Sequence, residues 1–300
     1  MKILLFGANG QVGWELQRSL SPLGDLVVLD RHHTELCGDL ADLKGIAETV
    51  RLVAPDVIVN AAAYTAVDRA ESDSEAAHLV NAAAPGVLAE AATAAGAWLV
   101  HYSTDYVFDG SGSKPWAEAD PTGPLNMYGR TKLEGEQLIA RHCEKHLIFR
   151  TSWVYAARGG NFAKTMLRLA KERDTLSVIN DQFGAPTGAD LIADVTAHAI
   201  AQIHRLSGSA GVYHLAAGGE TTWFEYAKHV LDQSIRAQAA PELIVKNINP
   251  VATSAFPTAA LRPHNSRLNT AKLQQTFGLQ LAPWQLGVAR MLAESQPQQI

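Results

Sequence analysis

Ile3-Leu4-Leu5-Phe6-Gly7-Ala8-Asn9-Gly10-Gln11-Val12-Gly13 is the stretch that decides the fold. Four apolar residues run without a break into a turn with glycine at every third position. From Gln11 the pattern becomes helical and continues to Leu20. A glycine turn between a buried strand and a helix lets backbone come close to a pyrophosphate, and the helix N-terminus offers unpaired N–H groups and a favourable dipole. Glycines also serve ordinary turns, so the trio alone is a weak signal. The next apolar run, Leu26 to Leu29, closes on Asp30, where a carboxylate can take hydrogen bonds from ribose hydroxyls. Gly7, Gly10, Gln11, Val12, Gly13 and Asp30 are therefore the first candidate cofactor-binding residues.

Outward from that turn, further short apolar runs follow: Val57 to Val59, Trp98 to Tyr102 and Leu147 to Phe149. Unbroken runs of this length suit strands covered on both faces. Helical segments separate them at Leu43 to Val53, Glu75 to Ala95 and Tyr128 to His142. The alternation predicts an α/β fold, a Rossmann-type doubly wound parallel sheet over residues 1–155. Beyond it the pattern loosens. Helical periodicity recurs at Phe162 to Arg173, Asp190 to His204, Trp223 to Ser234 and Trp284 to Ala293, with strand-like Leu176 to Ile179 and Val212 to Leu215 between. Asn247 to Asn269 reads as irregular. Residues 156–300 are expected to form a smaller mixed α/β substrate region, with segments returning to the first domain.

The 300 residues carry 25 Lys+Arg against 30 Asp+Glu, a formal net charge of −5. That balance gives no general attraction to polyanions, so nucleic acid is not an expected partner. Cys37 and Cys143 match neither a disulfide framework nor a zinc spacing. No run approaches the ~20 apolar residues of a membrane helix. A soluble cytoplasmic protein without a membrane partner is the expectation.

Tyr128-Gly129-Arg130-Thr131-Lys132 opens a helical stretch and puts Tyr128 and Lys132 at i and i+4 on one face. Behind a dinucleotide turn, such a pair reads as chemistry. A phenol has a pKa of ~10, and a nearby ammonium is expected to lower it, making Tyr128 a general acid or base towards a carbonyl. Lys132 would also hold a nicotinamide ribose. The fourth strand ends in Ser103-Thr104-Asp105, at the sheet edge where such folds bind ligands, and either hydroxyl can polarise a carbonyl. The alternative is a turn that uses Ser, Thr and Asp for backbone capping.

The G-x-x-G-x-x-G spacing resembles the extended short-chain dehydrogenase/reductase superfamily. By that resemblance Asp30 favours NADH and Arg31 softens the preference towards NADPH. Asp39-Leu40 would lie near the adenine, although Asp39 reads equally well as a cap of the helix starting near Leu43. Ala62, Ala63, Tyr64 and Thr65, after Asn60, would line the cofactor, and the triad hydroxyl aligns with Thr104. Ser103 to Gly110, Pro124 to Glu136, Ile148 to Tyr155, Asn180 to Thr187 and Arg262 to Asn269 are similar to the dTDP-4-dehydrorhamnose reductase family over nearly the whole chain. The resemblance implies NAD(P)H-dependent reduction of the C4 ketone of a dTDP-sugar, with Thr104, Asp105 and Trp153 on the deoxysugar. It also implies Mg²⁺ at a subunit contact of a homodimer, with Glu15 and Asp190 as the acids to test. Nucleotide-sugar epimerases share the turn and the Tyr/Lys pair. Dehydratases typically carry Asp-Glu after the triad Thr, whereas Asp105 is followed by Tyr106. A non-catalytic relative, the regulatory β subunit of methionine adenosyltransferase, is the alternative from outside enzymes.

Overall fold

The computed structural model describes residues 1–236 and 243–295. The apolar runs form β1 (Lys2–Phe6), β2 (Asp25–Leu29), β3 (Val57–Asn60), β4 (Trp98–Thr104) and β5 (His146–Thr151). Between them lie α1 (Gln11–Leu20), α2 (Leu43–Val53), the short α3 (Val67–Ala70) and α4 (Ser74–His78), then α5 (Ala84–Ala95) and α6 (Met127–His142). The expected helix from Glu75 to Ala95 is interrupted by a π turn at Leu79–Ala83. The widening falls just before Pro85, which has no N–H to continue an α ladder.

Six strands make one sheet, in the order Gly211–His214, β5, β4, β3, β1, β2, and every neighbouring pair is parallel. Side chains alternate between its faces. Ile3 and Leu5 join a core that includes Leu16, Leu20 and the helix Ala189–Gln202, whereas Leu4 and Phe6 join Ile46, Val50 and Leu88 on the other side. The strand order reverses between β1 and β3, so their carboxyl ends open a crevice at the switch point. The outermost strand comes from late in the sequence: Gly211–His214 runs beside β5 in the register Val212 to Ile148.

The remaining residues pack helices Phe162–Glu172, Trp223–Arg236 and Trp284–Glu294 with a parallel strand pair, Thr175–Ile179 and Asn247–Val251. The second of these strands lies in the stretch expected to be irregular. Pro250 does not prevent pairing because, among the described residues, the strand has a single neighbour and needs no hydrogen bond on its other edge.

Candidate active site

Gly7 has φ +88°, and a Cβ there would lie 2.5 Å from the backbone nitrogen of Ala62. A Cβ on Gly13 would strike the carbonyl oxygen of Gly7. The turn is thus wedged between α1 and the segment after β3, and only glycine fits at both places. Gly10 is the N-cap of α1 with no side-chain cap, and the first turn of the helix has no acid. Its N–H groups remain available to a phosphate, so the residues present fit a dinucleotide. Gln11 and Val12 form that first turn, and the buried Oε1 of Gln11 has no hydrogen-bond partner among the described residues.

Asp30 follows the last residue of β2 directly. Its Oδ2 accepts from Asn9 Nδ2 at 2.6 Å and its Oδ1 from the His32 N–H at 2.8 Å. Arg31 Nε lies 3.0 Å from His32 Nε2. Asp39 does not cap α2: that cap is Asp42, which accepts from the Gly45 N–H, while Asp39 accepts from the Ala41 N–H and Leu40 is buried. Ala62 and Ala63 are half-buried beside the turn, Tyr64 donates to Asp73 at 3.1 Å, and Thr65 is exposed.

Asn126 caps α6 by accepting from the Gly129 N–H at 2.8 Å, which fixes the turn carrying Tyr128. At the end of β4 the Thr104 hydroxyl donates to Asp105 Oδ1 at 3.2 Å and also lies against the Tyr128 phenol. Burial pushes Tyr128 up to about 12, with the Thr104 contact pulling weakly the other way. The net direction is opposite to the lowering expected from Lys132. Desolvation is the largest cause, and it keeps the phenol a protonated donor at neutral pH. Burial also raises Asp105 to about 7, offset in part by the Ser266 and Thr104 hydroxyls. Its Oδ2 has no partner at bonding distance among the described residues.

Lys132 is 1% exposed. Its Nζ donates to the Tyr102 carbonyl at 2.6 Å and lies 3.0 Å from His101 Nε2. Burial brings it down to about 8, against an opposing pull from Glu136. That pull is weak because Glu136 is held bidentately by Arg150, at 2.6 and 2.9 Å. His101 and Asn60, which face each other across β3 and β4, were given no role by the sequence. A histidine within an otherwise apolar buried strand was the available signal.

Next to this cluster lies a cavity of about 550 Å³, lined by Phe162, Trp223, Gln182, Arg173, Arg262 and Tyr106 among others. Tyr106 joins the two spaces, since its ring meets Tyr128 edge-on at 5.6 Å. Arg262 is paired with Asp68 at 2.6 Å, tying the stretch before it to α3. Trp153 takes φ +49°, a left-handed value rare for an aromatic residue, and its ring stacks on Trp223 at 3.6 Å. Trp223 rather than Trp153 lines the cavity, so one face of the expected sugar platform is already covered.

Glu15 and Asp190 each face an arginine within the chain. Glu15 is 3.4 Å from Arg18 and Asp190 is 3.7 Å from Arg290, and among the described residues no three His, Cys, Asp or Glu side chains gather. A divalent ion needs several oxygen donors, and within one chain Glu15 and Asp190 supply carboxylates without a third acidic neighbour among the described residues.

The family model for the RmlD substrate binding domain matches residues 1–296. The dTDP-4-dehydrorhamnose reductase of Shigella flexneri is 61% identical over 294 residues, 98% of each chain. A solved dTDP-4-dehydrorhamnose reductase from Clostridium acetobutylicum superposes with a TM-score of 0.89 at 34% identity, covering 98% of this chain and 99% of that one. A Bacillus anthracis dTDP-4-dehydrorhamnose reductase, solved in complex with NADP, gives 0.86 at 36% identity, again over 98% and 99%. With the glycine turn, the Thr104–Tyr128–Lys132 cluster and these relatives in agreement, the chain belongs to the RmlD substrate binding domain family, among the dTDP-4-dehydrorhamnose reductases.

Proposed function

We propose that this chain reduces the C4 ketone of dTDP-4-dehydro-L-rhamnose to dTDP-L-rhamnose with NADH or NADPH. The observation that carries the reading is the contact of the Thr104 hydroxyl with the Tyr128 phenol at the carboxyl end of β4, beside Tyr106 of the cavity wall. A reduced nicotinamide held on that turn supplies a hydrogen and two electrons to the carbonyl carbon. Thr104 orients the carbonyl oxygen, and Tyr128 gives that oxygen its proton, so the product hydroxyl forms as the O–H bond of the phenol breaks. Lys132 then faces a phenolate, whose charge its ammonium stabilises until solvent returns the proton. Phe162 and Trp223 offer the cavity flat apolar surface for a thymine ring, and Arg173 and Arg262 offer charge for a diphosphate. Asp30, held by the neutral Asn9 amide with Arg31 adjacent, supports use of both cofactors.

Residues 1–155 would act as the cofactor domain and 156–300 mainly as the substrate region. Among the described residues no helix is long and apolar enough to cross a membrane, and a cytoplasmic homodimer is the proposed working state. The test is absorbance at the reduced-nicotinamide band with dTDP-4-dehydro-L-rhamnose beside UDP-ketosugars. The wild type should consume NADH and NADPH with the dTDP-sugar, and Tyr128→Phe should lose at least about 100-fold in kcat with an unchanged cofactor Kd. Near-normal turnover by that variant would remove Tyr128 from the mechanism.

A further inference from the structure

A file of buried polar groups links the wall of the glycine turn to Lys132. The Ala62 N–H donates to Asn60 Oδ1 at 3.1 Å, Asn60 Nδ2 lies 3.2 Å from His101 Nδ1, and His101 Nε2 lies 3.0 Å from Lys132 Nζ. Asn60, His101 and Lys132 are each 1% exposed. Among the described residues no carboxylate is bonded to the lysine; it meets the Tyr102 carbonyl and the imidazole. A buried ammonium with few acceptors is costly, so the imidazole that touches it weighs on its charge together with the more distant Glu136.

Burial and the nearby Lys132 keep His101 neutral, well below the usual imidazole range. A neutral ring has one donor and one acceptor nitrogen. While Lys132 is an ammonium, Nε2 must accept and Nδ1 carries the hydrogen, which needs the Asn60 oxygen. When Lys132 is an amine, Nε2 can donate to it, and Nδ1 accepts from the Asn60 amide nitrogen. The second arrangement lets Asn60 Oδ1 keep the Ala62 N–H beside the glycine turn. The charge on Lys132 is thereby coupled to the tautomer of His101 and to the amide that braces the cofactor wall.

We propose that His101, oriented by Asn60, is a positioning residue that fixes Lys132 against β4 and sets whether its nitrogen is charged during turnover. The inference rests on the reductase reading for its effect on rate, but its effect on Lys132 stands apart from it. Besides His101, the ionisable group that acts on Lys132 is Glu136 on the same helix, itself paired with Arg150 of β5, while Tyr128 lies one turn earlier on α6 and Asp105 follows β4. Segment 79–83 contributes none, and Glu90 of α5 and His78 of α4 are on the outside, paired with His142 and Glu134.

The experiment compares wild type, His101→Leu, His101→Gln and Asn60→Asp, following kcat against pH and the ¹⁵N signal of the Lys132 amine in the cofactor-bound protein. Leucine removes the acceptor at similar volume, so the ammonium is less stable. Its titration and the alkaline fall in kcat should move to lower pH by about one unit. Glutamine restores an acceptor and should return both towards wild type. Aspartate at 60 holds hydrogen on Nδ1 and adds negative charge, moving both to higher pH. Unshifted titrations in His101→Leu and Asn60→Asp, with only thermal stability changed, would overturn the proposal. If His101→Leu does not fold, the Asn60→Asp titration alone decides. A wild type inactive on every ketosugar would overturn the reductase reading, while the ¹⁵N titration would still decide the role of His101.

Discussion

Asp105 is 2% exposed, with Oδ1 bonded to Thr104 and Oδ2 left without a partner among the described residues. Burial raises its carboxyl from 3.8 to about 7, so the folded chain holds a proton there that the unfolded chain has released. The resulting contribution to stability is complete below about pH 4 and is lost as pH rises through about 7. Asp105→Asn should therefore melt at the wild-type temperature near about pH 4 and at a higher temperature than wild type at about pH 9. Equal melting temperatures at both values would show that Asp105 keeps its charge at no cost. At this scale the Tyr128/Lys132 spacing was legible because i and i+4 lie on one helix face whatever the tertiary fold. The protonation of Tyr128 was not, since it depends on burial by residues far apart in sequence, such as Tyr106 and Thr104. The pairing of His101 with Asn60 was hidden for the same reason: only the β3–β4 register makes them neighbours.

The strand–turn–helix element was the most legible part of the chain. Its three glycines nevertheless have different duties. Gly13→Ala drives a methyl into the Gly7 carbonyl and should cost about 1–3 kcal/mol in denaturant unfolding. A Cβ on Gly10 meets only the Gly7 oxygen, at 3.4 Å, an ordinary contact. Gly10→Ala should thus lose less than about 1 kcal/mol of stability. It should still weaken NADPH binding about tenfold or more, because the methyl occupies the space before the helix N-terminus. Equal losses of stability in the two variants would contradict this division. Helix limits were readable where caps or breakers mark them, as at Gly96, which closes α5 in a left-handed conformation. The Asn247–Val251 strand was not, since its residues gain strand geometry only from pairing with Thr175–Ile179.

Across the whole molecule, distant segments complete the sheet and close the site. Gly211–His214 extends the sheet beyond β5, and the buried Arg150–Glu136 pair locks β5 to α6, the helix that carries Tyr128 and Lys132. Arg262–Asp68 brings the late loop to the edge of the cavity. The parallel core followed from short apolar runs alternating with helices. The cavity did not, because it is built from side chains between residues 106 and 262 that share no local pattern. In the proposed function this cavity presents a ketosugar to the glycine-turn cofactor for direct reduction at C4. Turnover of dTDP-4-dehydro-L-rhamnose with NADPH deuterated at the transferring position of the nicotinamide C4 tests it most directly, read by proton NMR of the product. The account predicts one deuterium at sugar C4 per cofactor consumed; product without deuterium there, or sugar conversion without net cofactor consumption, would contradict it.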